Sequence, residues 1–375
     1  MTRAQTLTRR DALGILGVGV VAAAWPRLAS ATGSVTQRGA IIRTVLKDYA
    51  PDELAGGATL FHEHMSVSDD FMSRWMAEAA ASRKENALPG AAAPAAAAIP
   101  PQSTPSGKYF MRDLDFQVEE MRIAKSEGIS CIVDGGHADM GRDFAFLRQL
   151  SERSGLPVVA SAGFYAQPFY PRDIATLSED QIVRALVRQV ESEPVGAFGE
   201  IGSWDQITKG ERKVFRAVGR AHLETNLPIF THTGIPGKSA IEQLDILEDA
   251  GVHPSRVTIG HLGNLVDANV EVHRAICRRG AFVGFDRQGA IGDAQQVPLV
   301  MKLIEAGYAA NLLFSSDLAF IAGTKQGGGA GYAKTLTVFV PKLKAAGASD
   351  DVLRMIIRDN PRRFLAFVPK QPRKV

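Results

Sequence analysis

The sequence contains little cysteine, with only Cys131 and Cys277 among its 375 residues. Two widely separated thiols form neither a disulfide framework nor a zinc knot, which need several cysteines at short spacings. Cys131 lies in an apolar run that predicts a buried strand, and Cys277 lies in a segment that predicts a helix. We therefore predict two free, buried thiols, although an oxidising compartment would allow them to pair.

Long apolar runs and basic clusters are also missing. Outside a short N-terminal run, no continuous apolar stretch reaches the about 20 residues that a membrane span requires. The formal net charge of +3 belongs to residues 1–31, which contain four arginines and one aspartate, so the remaining chain is neutral. No group of lysines and arginines offers the phosphate contacts that nucleic-acid binding needs. The sequence thus predicts no membrane span in the mature chain and no nucleic-acid partner.

Residues 1–31 have the pattern of a cleaved export signal. Arg9 and Arg10 precede a run rich in glycine, alanine and valine that ends near Ala24, and Ala29-Ser30-Ala31 provides a cleavage site. Paired arginines before a weakly hydrophobic run are typical of the twin-arginine type, with an ordinary secretory signal as the alternative. We expect a periplasmic or secreted mature protein.

Residues 32–368 are predicted to form a single domain, followed by a tail at 369–375. Short apolar runs alternate with amphipathic segments, a pattern typical of βα units around a parallel sheet. The predicted strands are 59–62, 130–134, 158–162, 197–200, 229–232, 257–260, 282–285 and 312–315, and the predicted helices are 115–127, 144–153, 179–191, 211–225, 239–250, 268–279 and 297–306. Eight strands favour a closed TIM (β/α)8 barrel over an open doubly wound sheet, whose glycine fingerprint is absent.

Two segments interrupt the repeat. Residues 87–106, rich in alanine and proline, predict a flexible insert between the first strand and its helix. Residues 323–331 are rich in glycine but lack the Gly-Lys-Ser/Thr ending of a phosphate-binding loop. For this second segment we predict a mobile lid beside the functional site.

Metal-ligating residue types occur at the carboxyl ends of the predicted strands, where barrel enzymes assemble their sites. His62 and His64 end the first strand, and because side chains alternate along a strand they point the same way, while Glu63 points oppositely. Further strands end in one candidate ligand each: Glu200, His232, His261 and Asp317. Each histidine alone could simply bond a loop, but four of the eight histidines fall at such ends.

Imidazoles combined with carboxylates suit zinc, with cobalt, manganese or iron as alternatives, whereas calcium and magnesium prefer oxygen ligands. His222, His253 and His273 lie in predicted helices or next to a strand, and we interpret them as structural or solvated. The sequence leaves His137 open, since it follows a strand in a predicted loop.

This ordered set of residues resembles the phosphotriesterase family of the amidohydrolase superfamily, from about Gly57 to Phe364. Gly163-Phe164-Tyr165, Gly284-Phe285-Asp286-Arg287 and Asn360-Pro361-Arg362-Arg363-Phe364 are similar to further motifs of that family. The resemblance implies two divalent metal ions, the more buried one held by the histidine pair and Asp317, and the more exposed one held by His232 and His261. Glu200 falls at the bridging position, where many relatives have a carboxylated lysine, so no bicarbonate requirement is expected.

The resemblance also implies substrate contacts. Lactone-hydrolysing members have a similar tyrosine and arginine, so Tyr165 and Arg287 are predicted to line the substrate pocket, although Tyr165 could equally be a packing aromatic. The chain departs from lactonases after Gly263, where Asn264 and Leu265 replace the Asp-Thr that often follows.

The mechanism implied is attack by a hydroxide that bridges the two metals, with Asp317 accepting its proton and Glu200 holding the pair. A small carboxylic ester or lactone is the predicted substrate, with organophosphate triester hydrolysis as a side activity. An amide or cyclic imide is the alternative substrate, and a non-catalytic periplasmic metal- or solute-binding barrel is the alternative function. Homodimer formation remains open.

Overall fold

The computed structural model describes residues 37–85, 101–234, 237–265, 267–288 and 292–370. The described chain begins with a short antiparallel pair, β1 (Ile42–Arg43) and β2 (Asp48–Tyr49), that precedes the main sheet. The predicted signal at 1–31 and most of the alanine- and proline-rich insert lie outside the described residues, as do Gly289 and residues 371–375 of the predicted tail.

Eight parallel strands follow in chain order and pair each with the next. They are β3 (Ala58–Glu63), β4 (Ile129–Asp134), β5 (Val158–Ala162), β6 (Val195–Ser203), β7 (Ile229–Thr233), β8 (Val257–Ile259), β9 (Phe282–Phe285) and β10 (Leu312–Phe314). All eight predicted strands are confirmed, with differences only at their ends. Most contain buried Val, Ile, Leu or Phe, as expected for strands covered on both faces.

The first and last strands of the sheet meet through one serine. Ser315 Oγ donates to the His62 carbonyl (2.7 Å) and accepts from the His62 backbone N–H (3.1 Å). These bonds bring β3 and β10 together, so the sheet forms a nearly closed barrel and the predicted TIM-barrel fold is confirmed. A buried cluster that includes Phe61, Val133, Phe230 and Leu313 fills the barrel interior.

Helices surround the sheet. They are α1 (Phe71–Glu85), α2 (Leu114–Ser126), α3 (Phe144–Ser154), α4 (Glu179–Ser192), α5 (Lys209–Thr225), α6 (Ala240–Asp249), α7 (Glu271–Arg279), α8 (Asp293–Glu305), α9 (Val340–Ala345), α10 (Asp350–Arg354) and α11 (Asn360–Leu365). Ser178 and Thr208 begin α4 and α5 with capping boxes, which satisfy backbone N–H groups at the helix starts. The helices predicted between strands are confirmed, but the sequence analysis missed α1. Within the described residues, no helix combines the length and apolar character that crossing a bilayer requires.

The two cysteines are free and buried, as predicted. The prediction of a mobile lid at 323–331 is wrong for a physical reason. The carboxylate of Glu120 on α2 accepts hydrogen bonds from the backbone N–H groups of Lys325 and Gln326, both at 2.9 Å. Lys325 Nζ also pairs with Glu127 at 2.6 Å. The segment is therefore fastened to the outside of the barrel.

Candidate functional site

The carboxyl ends of the strands open into a cavity of about 270 Å³. At its floor lies a group of six side chains that we call the acid–histidine cluster: His62, His64, Glu200, His232, His261 and Asp317. His64, Glu200, His232 and Asp317 line the cavity, whereas His62 and His261 contact Glu200 without lining it. Five side chains that we call the cavity wall line it farther from the strands: Phe71, Met72, Trp75, Phe320 and Lys334. The structure thus brings together all six residues that the sequence singled out as metal ligands.

The histidine pair comes from the end of β3. His64 Nε2 lies 3.2 Å from Glu200 Oε1 and 3.2 Å from Asp317 Oδ1, and His62 Nε2 lies 3.2 Å from Glu200 Oε2. Both imidazoles face the same carboxylate, as the alternation of the strand predicts. Glu63 points the other way, where it accepts hydrogen bonds from Ser315 Oγ and from the Ser316 backbone N–H, both at 2.7 Å.

Glu200 lies at the centre of the cluster because β6 bulges there. The register between β6 and β7 shifts between Phe198 and Ile201, and a bulge of this kind redirects a side chain. Gly199, with φ of +149°, precedes Glu200, and a Cβ on it would come within 2.3 Å of the Phe230 ring. Only glycine fits this close approach. The Glu200 side chain is 2% exposed.

The other two imidazoles approach the second oxygen of the same carboxylate. His232 Nδ1 lies 2.9 Å and His261 Nε2 lies 3.4 Å from Glu200 Oε2, and these two nitrogens are 2.8 Å apart. His261 has φ of +61°, a left-handed conformation that is uncommon for a side-chain-bearing residue and that tends to occur at functional sites. Glu200 therefore contacts imidazoles through both of its oxygens.

Asp317 follows β10 and closes the cluster. It also has a left-handed backbone, with φ of +46°, and its Oδ2 accepts a 2.9 Å hydrogen bond from Arg287 Nε. The Arg287 guanidinium lies over the Trp75 ring, 5.6 Å from its centroid. Arg287 lines the cavity and forms an ion pair with Asp317, and its contact with substrate stays a prediction.

Asp286 is a contributor that the sequence analysis did not select. Its carboxylate accepts from both His62 Nδ1 (2.9 Å) and His261 Nδ1 (2.8 Å), and from the His261 backbone N–H (2.9 Å). Such bonds fix the orientation of both rings and direct Nε2 of each imidazole toward Glu200. Its position directly after β9, beside Arg287, was the available signal, but it did not indicate contacts with two other strands.

Tyr165 is buried and joins the cluster to the cavity wall. Its hydroxyl accepts from Trp75 Nε1 at 2.7 Å and lies 3.0 Å from His232 Nδ1. Tyr165 lines the cavity, and its contact with substrate stays a prediction. Trp75 was missed with the rest of α1, although Phe71, Met72 and Trp75 have the spacing of one helix face.

The electrostatics of the cluster are dominated by its carboxylates. Burial alone would lower the pKa of His64, but hydrogen bonds with Asp317 and Glu200 raise it to about 10. Burial raises the pKa of Glu200, yet the neighbouring His62 and His232 bring it well below its usual range. Burial lowers the pKa of His232 to about 4, which Glu200 only partly offsets. The carboxylates therefore remain anionic and favour positive charge beside them, which protonated imidazoles or bound cations can supply.

Divalent cations bound by the cluster would supply positive charge beside its carboxylates. Three groups of side chains have ligand atoms close enough to share one ion each: His62, His64 and Asp317; Glu200, His232 and His261; and His62, His261 and Asp286. His62 Nε2 is buried and makes no hydrogen bond of normal geometry among the described residues, although Glu200 Oε2 lies 3.2 Å away; a cation bound by both atoms would satisfy them. The first two groups are the ones that correspond to the predicted pair of ions. The grouping matches the predicted division between two ions, and the ligand roles themselves stay a prediction.

The remaining histidines lie outside the cluster. His222 Nδ1 bonds the Leu227 carbonyl at 2.6 Å and His273 Nε2 bonds the Leu262 carbonyl at 2.9 Å, which agrees with their structural interpretation. His253 is bonded to Ser255 at an exposed turn. His137, which the sequence left open, is buried, with Nδ1 3.2 Å from Asp139 Oδ1.

Comparison with known proteins gives one consistent answer. Residues 42–365 match the model of the phosphotriesterase family. The chain is 32% identical to the phosphotriesterase homology protein of Escherichia coli over 66% of this chain and 88% of that protein. It is 25% identical to an N-acetyltaurine hydrolase of Rattus norvegicus over 87% of this chain and 98% of that protein. It is 29% identical to an aryldialkylphosphatase of Saccharolobus solfataricus, over 68% and 88% respectively.

Solved structures resemble the whole barrel. The phosphotriesterase homology protein of Escherichia coli, complexed with phosphate in its active site, superimposes with a TM-score of 0.70 at 27% identity and covers 84% of this chain and 100% of that chain. A lactonase from Listeria monocytogenes superimposes with a TM-score of 0.71 at 24% identity, covering 87% of this chain and 98% of that chain. The second likeness bears on the fold alone.

Proposed function

Because the chain belongs to the phosphotriesterase family, we propose that it is a binuclear metal-dependent hydrolase that cleaves a carboxylic ester or a lactone. One observation carries the proposal: four imidazoles and two carboxylates from five different strand ends converge on one point, and four of these six side chains line the same cavity. Such convergence of buried, charged groups is costly for folding unless it serves a function.

In this proposal His62, His64 and Asp317 would hold one cation, His232 and His261 would hold the other, and Glu200, which contacts imidazoles of both sets, would be a ligand shared by the two. The donor set suits zinc, with cobalt, manganese or iron as alternatives. When bound, a pair of such cations makes hydroxide available from water near neutral pH and polarises the carbonyl oxygen under attack. Asp286 orients the imidazoles of His62 and His261 through their Nδ1 atoms.

Asp317 has the environment of the proton acceptor. Its Oδ2 receives a hydrogen bond from Arg287 and its Oδ1 faces His64. Burial would raise the pKa of Asp317, but His64 and Arg287 hold it well below the usual range, so the carboxylate is ionised at neutral pH. An ionised carboxylate beside the nucleophile can take its proton and release it to the leaving group or to solvent.

The substrate contacts proposed for Tyr165 and Arg287 are supported by their positions in the cavity lining. The aromatic rings of the cavity wall exclude water and suit an apolar acyl or ring portion. A phosphotriester needs the same hydroxide and polarising cation, and the similarity to an aryldialkylphosphatase supports a side activity of that kind.

Amide hydrolysis is the second candidate, and a specific observation favours it. Proteins named N-acetyltaurine hydrolase match 87% of this chain at 25% identity in Rattus norvegicus and in Homo sapiens. The attack on an amide carbonyl requires the same groups plus protonation of a poorer leaving group, for which Asp317 is positioned.

The proposal is tested by metal analysis and turnover on the same purified protein. We expect about two ions per chain and hydrolysis of at least one compound from a panel of lactones, aryl esters, N-acyl amides and phosphotriesters. Bound metal without any turnover would instead favour the non-catalytic binding barrel.

We also propose that the protein is exported, on the basis of the twin-arginine pattern at residues 1–31. Fractionation of cells expressing the full chain should recover a shortened protein in the periplasm or medium. Replacing Arg9 and Arg10 with lysine should retain the protein in the cytoplasm if the signal is of the twin-arginine type, and should have little effect if it is an ordinary secretory signal.

A further inference from the structure

Four charged side chains line the cavity, and two of them, Asp317 and Arg287, form an ion pair at 2.9 Å. Glu200 lies among the imidazoles. The ammonium group of the fourth, Lys334, takes part in none of the hydrogen bonds or ion pairs of the described residues, and the opposite charge that acts on it most strongly is the buried carboxylate of Glu63. The cavity wall therefore contains one positive charge without a direct partner.

The backbone that carries Lys334 is firmly held. Tyr332, two residues earlier, is 1% exposed, and its hydroxyl donates to the His64 carbonyl (2.9 Å) and lies 3.1 Å from Gln117 Oε1. Ala333 is fully buried. Lys334 then begins the helical stretch that leads through Thr335–Phe339 into α9. The Lys334 side chain therefore starts from a backbone position that is held in place next to His64.

An ammonium in this position lacks full solvation. Burial lowers the pKa of Lys334, an effect opposed by the charges of Glu63, Asp317 and Asp293. Glu63 is hydrogen-bonded to Ser315 and Ser316 and is not itself part of the cavity lining, so its charge acts on Lys334 from inside the barrel while the cavity side of the ammonium stays open. A partly buried cation is stabilised when an anion binds next to it.

From this arrangement we propose that Lys334 forms an anion-binding subsite in the cavity wall, and that the substrate bears a carboxylate, sulfonate or phosphate group apart from the bond that is cleaved. The inference rests on the proposed hydrolase function and names its substrate class. The acyl group to be attacked faces the acid–histidine cluster, the apolar middle of the substrate contacts Phe71 and Phe320, and the anionic end meets Lys334.

The experiment compares Lys334→Met with a matched control, Lys344→Met. The Lys344 side chain is 61% exposed, pairs with Asp350 on the surface and is not part of the cavity lining. Each variant is assayed on paired substrates of similar size: γ-valerolactone against γ-carboxy-γ-butyrolactone, and N-[2-(methylsulfonyl)ethyl]acetamide against N-acetyltaurine. The carboxylate and sulfonate arms then report which anion the subsite accepts.

For the anionic member of a pair, Lys334→Met should raise KM on the order of 10- to 100-fold, the range expected for a lost charge-assisted hydrogen bond. Its kcat should change little, because a remote charge interacts equally with ground and transition states. Neutral substrates and the control variant should be unaffected, and Lys334→Arg should restore part of the loss. Equal losses on neutral and anionic substrates would overturn the proposal, because they would indicate a structural role.

Binding of propane-1-sulfonate, measured by calorimetry on the purified protein, separates the two levels of inference. Weakened binding in Lys334→Met, even without turnover of any tested compound, would support the subsite while counting against the hydrolase. Turnover of the panel with unchanged binding and unchanged discrimination in Lys334→Met would leave the hydrolase intact and overturn the subsite.

Discussion

The floor and the wall of the cavity arise from different parts of the chain. The acid–histidine cluster lies at strand ends of the repeated βα units, and every member has several partners within the barrel. The cavity wall comes from α1, which precedes the insert, and from the segments after β10. In the proposed function, the groups that carry the reaction therefore belong to the repeated βα units. The side chains that select the substrate belong to segments outside that repeat.

The largest expected effect comes from the floor. His62→Ala removes an imidazole that is 0% exposed and lies between Glu200 and Asp286, so we expect loss of bound metal and of detectable turnover. Metal analysis of the folded variant, verified by circular dichroism, measures this directly. Normal metal content in His62→Ala would remove His62 from the set of ligands.

Asp317→Asn should separate metal binding from proton transfer. The amide keeps one oxygen toward His64 but cannot accept a proton, so kcat should fall by about 10²- to 10⁴-fold, the range of general acid–base catalysis. Most of the metal should remain, since the other five ligands are unchanged. Turnover close to that of the wild type would show that another group takes the proton.

Asp286→Asn tests how much the Asp286 carboxylate, which contacts two imidazoles of the cluster, contributes to metal affinity. Because Asp286 accepts from both His62 and His261, its replacement should weaken metal affinity by about 10- to 100-fold. Titration with a competing chelator gives the affinity. An unchanged affinity would mean that the imidazoles are held in place by packing alone.

A smaller effect is expected where the wall joins the floor. Trp75→Phe keeps the ring but removes the N–H that donates to Tyr165, which should change kcat/KM by about 3- to 10-fold, the value of one neutral hydrogen bond. Tyr165→Phe removes the same bond from the other side. The double variant should lose less than the sum of the two, since the residues share one interaction. Strict additivity would indicate that Trp75 and Tyr165 act separately.

The floor was predictable from the sequence and the wall was not, for physical reasons. Strand ends in a parallel barrel must meet at one edge, so His62 in β3 and Asp317 after β10 could be assigned to one site from their strands alone. The contacts of Asp286 depend on the register of three strands, which a linear pattern does not report. The wall residues Trp75 and Lys334 lie next to low-complexity segments, where no repeat fixes their position.

The glycine-rich segment at 323–331 is a second case in which the sequence pattern did not reveal contacts with a distant part of the chain. Its composition suggested mobility, but Glu120 of α2 accepts two of its backbone N–H groups. These two hydrogen bonds hold the segment against α2. The amino-acid composition of a segment indicates how flexible its backbone can be, but it does not show which residues elsewhere in the chain restrict its movement.

The most direct measurement is the number of metal ions in the purified protein, combined with their positions from anomalous diffraction. The account predicts about two ions per chain, one near His62, His64 and Asp317 and one near His232 and His261, with Glu200 between them. A single ion, or ions bound away from Glu200, would contradict it.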